Sequence, residues 1–149
     1  MPSGGNSGSQ KTQAAVLAIR LLVGAVFFME GIKKFLFPDQ WGAGRFLTIG
    51  IPSPHVMGPF VGAVEITCGL LVLLGLRTSL ASIPLLIVIC TAIGTTKIPI
   101  LFKAGFWRME DVGRTDYSML MGLIFILFAG SGSLSLDARL AGRKTAQDG

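Results

Sequence analysis

Four apolar runs of 17 to 24 residues divide the sequence and limit what it can fold into. Helices of about this length match the hydrocarbon core of a bilayer, which is about 30 Å thick. The chain of 149 residues is 51% hydrophobic and has charges on only 14% of its positions, whereas soluble domains carry about 25% charged residues. The sequence therefore predicts a protein that crosses a membrane four times.

The predicted fold class is all-α membrane: a four-transmembrane-helix bundle with up-down connectivity and short interfacial segments in its two long loops. One domain is expected at residues 14–138, between a disordered Gly/Ser-rich tail at 1–13 and a basic C-terminal tail at 139–149. The four spans are expected at about residues 14–37, 56–76, 79–98 and 115–131.

The net charge of +5 fits a lipid surface better than a nucleic acid, because the basic residues lie at the ends of the apolar runs. We therefore expect the lipid bilayer as a partner and no nucleic acid. Cys68 and Cys90 each lie inside a span, where a small buried side chain is the simplest interpretation and an interhelical disulfide stays open. The sequence has no C-x-x-C motif and too few ligands for a tetrahedral metal site, so no metal is predicted.

The second apolar run carries a carboxylate, Glu65, inside a stripe of small residues. At about 100° per residue, Glu65 falls on the same helix face as Gly58, Gly62 and Gly69. Glycines at four-residue spacing let another helix approach closely, and an acid in such a contact needs a donor or cation on its neighbour. Glu65 is therefore the one candidate for a catalytic group.

The first run supplies residues that could meet this face. Arg20, Gly24, Gly31 and Lys34 lie on one side of the helical wheel, with Glu30 beside them. With helices alternating up and down, Glu65 has two sets of candidate partners: Arg20 from one side, or Lys34 or Lys97 from the other. The predicted polar pocket comprises Arg20, Glu30, Lys34, Glu65, Lys97, Asp116 and Tyr117, and the predicted helix-packing residues are Gly24, Gly31, Gly58, Gly62, Gly69 and Gly122.

Three roles for Glu65 remain open at this point. It could form a structural ion pair that ties the bundle together, or lie at the floor of a polar cavity open to the side of the two long loops. It could also stay protonated without a strong partner, because burial disfavours the charged form.

Three short motifs resemble the DoxX family of small bacterial membrane proteins across about residues 16–139. They are R-x3-G-x6-G-x2-K in the first span, E-x3-G-L-L-x-L-L-G-L-R-T in the second, and G-S-G-S-L-S-L-D after the fourth. Their residues are Arg20, Gly24, Gly31, Lys34, Glu65, Gly69, Gly75, Arg77, Thr78, Gly130, Gly132, Ser135 and Asp137. The resemblance implies a four-helix protein of the bacterial inner membrane. Because the family takes its name from a subunit of a thiosulfate:quinone oxidoreductase, it also implies a link to redox complexes.

The first hypothesis is therefore a membrane subunit or accessory protein of a quinone-linked or oxidative-stress complex, with an oxidoreductase as partner protein and an intramembrane polar site around Glu65. No cofactor is evident in the sequence, and a quinone enters only by analogy with the family. A non-enzymatic scaffold or assembly factor is the alternative. A small-solute or proton permease is a third hypothesis, and because four spans are few for a transporter it would require a homo-oligomer.

Basic residues number five on the terminal side and seven on the other. Three of those seven, Lys33, Lys34 and Lys97, lie within spans, so we expect cytoplasmic termini.

Overall fold

The computed structural model describes the backbone of residues 5–145 and the side chains of residues 8–142. Over that range the chain is helical and contains no strand. The elements are α1 (Gly5–Leu36), α2 (Pro38–Trp41), α3 (Ala43–Thr48), α4 (Pro54–Leu74), α5 (Thr78–Ala92), a π-helical turn (Ile93–Lys97), α6 (Ile98–Ala104), α7 (Phe106–Ala129) and α8 (Leu136–Thr145).

Four helical segments are long and apolar enough to cross a membrane, which confirms the predicted fold class. They are Gly8–Leu36, Pro54–Leu74, Thr78–Ala104 and Phe106–Ala129. The short helices α2 and α3 fill the first long loop, where a proline begins α2 and so starts a new helix instead of extending α1.

The ends of the helices differ from the sequence expectation in two places. The first helix begins at Gly5, within the tail expected to be disordered, and residues 1–4 of that tail lie outside the described residues. The loop expected at 99–114 is largely helical, because Pro99 lies in the first turn of α6, where a missing N–H is tolerated. The chain reverses at Gly105, whose φ of +83° favours glycine. The C-terminal tail is helical as far as Thr145.

The bundle is built from two closely packed helix pairs, α1 with α4 and α5 with α7. Between the pairs lies a core of apolar side chains from all four spans, in which Val23, Val72, Leu85, Leu123 and Ile126 are fully buried. Since helices in a bilayer gain little from hydrophobic burial, close packing is expected to supply much of the association energy.

Glycines set the close approach of α1 and α4. A Cβ placed on Gly31 would lie 2.6 Å from the carbonyl oxygen of Gly62, and one on Gly24 would lie 2.9 Å from that of Gly69. These are backbone atoms, which cannot swing away as the end of a side chain can. Two further glycines make other contacts: Gly58 meets Ala43 of α3, and Gly122 meets Val23 of α1.

Adding one methyl group at this contact should destabilise the bundle. We expect Gly31→Ala to lower the free energy of unfolding by about 1–3 kcal/mol, the usual cost of overpacking, and to lower the thermal midpoint in detergent. Gly94→Ala is the matched control, because a Cβ there meets no atom within 4 Å, and it should leave the midpoint unchanged or raise it. Equal midpoints for the two variants would contradict the close contact.

Candidate functional site

The carboxylate of Glu65 is paired with the ammonium of Lys34 across the α1–α4 contact. The distance from Lys34 Nζ to Glu65 Oε2 is 2.6 Å, so the contact is both a salt bridge and a hydrogen bond. Glu65 is 3% exposed, and the side chain of Lys34 is 11% exposed. Of the two sets of partners that the sequence offered, Lys34 is therefore the residue that meets Glu65.

The glycine stripe explains how this pair comes to be buried. The buried residues of α4 are Gly58, Gly62, Glu65, Gly69 and Val72, the face on which the helical wheel placed the acid. Gly62 contacts both Gly31 and the side chain of Lys34, since a Cβ placed there would lie 3.3 Å from each. The missing side chains let α1 come close enough for Lys34 to cover the carboxylate.

Arg20 lies at the opposite end of the bundle and does not join this pair. Its guanidinium donates hydrogen bonds to the carbonyls of Val72 (3.0 Å) and Leu73 (3.2 Å), at the C-terminal end of α4. It also donates to Ser131 and Leu134, at 2.5 and 3.1 Å, in the segment after α7. Because the last carbonyls of a helix lack intrahelical partners, this buried side chain, 2% exposed, joins the ends of two spans to α1.

A second interhelical ion pair joins the π-helical turn to α7. Lys97 Nζ lies 2.9 Å from Asp116 Oδ2, and the two side chains are 14% and 23% exposed. Asp116 is the eleventh residue of α7, which is one of the four candidate spans. Lys97 is thus engaged with Asp116.

The remaining predicted pocket residues, Glu30 and Tyr117, are not members of these ion pairs. Glu30 forms a salt bridge with Lys33 on the same helix, and both side chains are about one-third exposed. Tyr117 is 62% exposed and lies on the outside of α7. The predicted pocket residues are therefore distributed over three ion pairs, one arginine contact and the exposed Tyr117.

Asp137 is a structural residue that was not among the predicted polar-site residues. Its Oδ2 accepts a hydrogen bond of 2.8 Å from the backbone N–H of Arg77, and its own N–H donates to the carbonyl of Gly75. These bonds hold the start of α8 against the turn between α4 and α5. A signal was present, because all three residues belong to the short motifs that carry the family resemblance.

The described residues hold no other cluster with obvious chemistry. Cys68 and Cys90 are both free thiols, and no three His, Cys, Asp or Glu side chains among residues 8–142 come together as metal ligands. One open groove, with a volume of about 380 Å³, runs along the outside of α1 and is lined by Val26, Met29, Glu30, Ile32 and Lys33. Glu65 is not part of its wall.

The fold and these contacts define a small integral membrane protein with four spans, whose intramembrane charges are engaged by groups of the bundle itself. The family model described as DoxX matches residues 15–98, and the chain belongs to the DoxX family. This match begins within the first span, covers the second and ends within the third, at the start of α6. The fourth span, α7, lies beyond the matched residues.

A curated relative matches over most of both chains. The chain is 53% identical over 138 residues to the protein named Uncharacterized membrane protein Rv3486, from Mycobacterium tuberculosis (strain ATCC 25618 / H37Rv). The aligned region covers 89% of this chain and 85% of the relative. No solved structure matches the chain.

Proposed function

We propose that this protein is a non-catalytic membrane subunit of a redox complex in the bacterial inner membrane. The observation that carries the proposal is the Lys34–Glu65 pair. A carboxylate that is 3% exposed and bound at 2.6 Å by a lysine of the neighbouring helix is suited to joining helices. It is poorly placed to exchange protons with a substrate, which would first have to displace Lys34.

The other intramembrane charges support the same role. Lys97 is paired with Asp116, and Arg20 is held by four carbonyls. Ionisable groups inside a membrane are costly unless they are paired, and these contacts provide that pairing between helices. Each of the three contacts joins different elements of the chain, so together they fix the arrangement of the spans.

The redox part of the proposal rests on the family resemblance, because DoxX takes its name from a subunit of a quinone-linked oxidoreductase. This is an argument by analogy, since one fold can serve many functions. Because Glu65 is engaged with Lys34, we place the electron carrier in the partner protein. By the same analogy, that carrier is a quinone. An assembly factor would have the same geometry but would leave the complex once it is complete.

The arrangement of charges also supports cytoplasmic termini. Lys34 and Lys97 are engaged in ion pairs between helices, and Lys33 is paired with Glu30. All three lie inside candidate spans, so we leave them out of the loop charges that set orientation. We therefore expect activity from a C-terminal fusion to a reporter enzyme that works only in the cytoplasm.

Native purification tests this function. We expect the tagged full-length protein, extracted from its own membranes in mild detergent, to retain an oxidoreductase subunit in near-stoichiometric amount that stays with the active complex. The double variant Lys34→Met/Glu65→Leu should retain the same partner, because the proposal gives the pair no part in the reaction. Mass spectrometry of the co-purifying proteins and quinones measures the retention of the partner by the wild type and by the double variant.

Two results would contradict the proposal. If no oxidoreductase subunit co-purifies, the redox assignment is wrong. If a quinone binds the isolated chain one to one and is lost in Glu65→Gln, the chain itself holds a redox ligand and the non-catalytic assignment is wrong.

A further inference from the structure

The open groove on α1 ends beside an unusual group of side chains in the first long loop. Lys33, which lines the groove, places its Nζ 4.6 Å from the centre of the Trp41 ring. Arg45 of α3 places its Cζ 5.6 Å from the same centre. Two cations from different helices therefore lie against one indole, a contact that is favourable for each of them.

The groove itself is apolar and runs into the bilayer. Val26, Met29, Glu30 and Lys33 follow the i, i+3, i+4, i+7 spacing of one helix face. Val26 lies ten residues before the end of α1, so the groove extends about 15 Å inward from that end. All five lining residues belong to α1, so the groove is open to the bilayer along its length.

This arrangement matches the two parts of a membrane lipid. Tryptophan and basic residues at the end of a span belong at the level of the headgroups, and the apolar groove continues from there towards the acyl chains. We infer that the groove is a binding site for an anionic glycerophospholipid, with one acyl chain along Val26, Met29 and Ile32 and the phosphate at Arg45 and Lys33.

The charges of the site explain why the headgroup is expected to be anionic. Glu30 already forms a salt bridge with Lys33, so the guanidinium of Arg45 is the main cation for the ligand. Arg45 is half-buried beside Trp41, and a planar guanidinium can bind two phosphate oxygens at once. Neither Lys34 nor Glu65 lines the groove, and the inference does not depend on the proposed redox role.

Lipid retention by the purified full-length protein tests the inference. We expect native mass spectrometry, with phosphatidylglycerol and phosphatidylcholine of identical acyl chains, to show preferential retention of phosphatidylglycerol. Arg45→Gln should lower that retention about fivefold, the effect of removing one cation near an anionic surface. The matched control is Arg108→Gln, since Arg108 is an exposed arginine on the same side of the membrane, and it should change retention little.

A second variant tests the contact between the groove and the acyl chain. Met29, 64% exposed, lies in the groove, so Met29→Trp should fill it and lower the retention of both lipids. Met121→Trp, at a 42% exposed position of α7, is the control and should retain them. Circular dichroism should show the helix content of the wild type in each variant, which establishes that each is folded.

Any of four results would overturn the inference. They are equal retention of the two lipids, equal retention by Arg45→Gln and Arg108→Gln, equal retention by Met29→Trp and Met121→Trp, or a lipid-independent dimer that Met29→Trp disrupts. The last result would assign the groove to a second copy of the chain.

Discussion

Replacing Lys34 with methionine is expected to lower the free energy of unfolding by about 3–5 kcal/mol, the cost of leaving one member of a buried ion pair alone. The cost falls on Glu65, which is 3% exposed and lies eleven residues into α4, about 16 Å from its start. A carboxylate at that depth cannot reach the headgroup region. Unfolding of the purified protein in mixed detergent micelles, followed by circular dichroism, measures the change.

Replacing Glu65 with leucine should lower the free energy of unfolding by less than Lys34→Met does. In Glu65→Leu the remaining charge is on Lys34, two residues from the end of α1, and its long side chain can extend towards the interface. The double variant Lys34→Met/Glu65→Leu should be close to wild type, because exchanging a buried pair for apolar residues is often neutral. If the double variant lost as much unfolding free energy as the two single variants added together, the two residues would not be coupled and the ion pair would be wrong.

The helix face that carries Glu65 could be predicted from the sequence because it depends only on helical periodicity. A wheel needs no knowledge of the neighbours to place Gly58, Gly62, Glu65 and Gly69 together. The choice between Lys34 and Arg20 could not be made in the same way, since both lie on the same face of α1. It depends on carbonyls supplied 52 and 111 residues further along the chain, which periodicity does not reveal.

The third span shows a second limit of periodic reasoning. Its π-helical turn at Ile93–Lys97 departs from 3.6 residues per turn, so the faces beyond it shift relative to those before it. The meeting of Lys97 with Asp116 therefore could not be derived from an ideal wheel. In contrast, an ideal wheel does predict that the side chains of Asp116 and Tyr117 face different directions, because adjacent residues on a helix point about 100° apart.

Replacing Arg20 with methionine is the second change expected to have a large effect, about 3–5 kcal/mol of unfolding free energy. Hydrogen bonds from a charged donor are each worth about 1.5–3 kcal/mol, and methionine replaces the side chain's length without any donor. The carbonyls of Val72, Leu73, Ser131 and Leu134 would all lose the guanidinium. Arg20→Lys should be intermediate, since a single ammonium cannot reach four acceptors in the geometry of a planar fork.

The location of the effect distinguishes Arg20 from Lys34. A Cβ on Gly75 would lie 2.6 Å from Arg20 Cζ, so the guanidinium lies directly under the turn that follows α4. In Arg20→Met, hydrogen exchange should increase in that turn and in residues 130–135, whereas the loop at 38–53 should exchange as in wild type. Lys34→Met should give the opposite distribution, because its pair lies towards the 38–53 side of the bundle. Uniform protection loss in both variants would mean that the two ends of the bundle are not held independently, and the separate roles assigned to Arg20 and to the Lys34–Glu65 pair would be wrong.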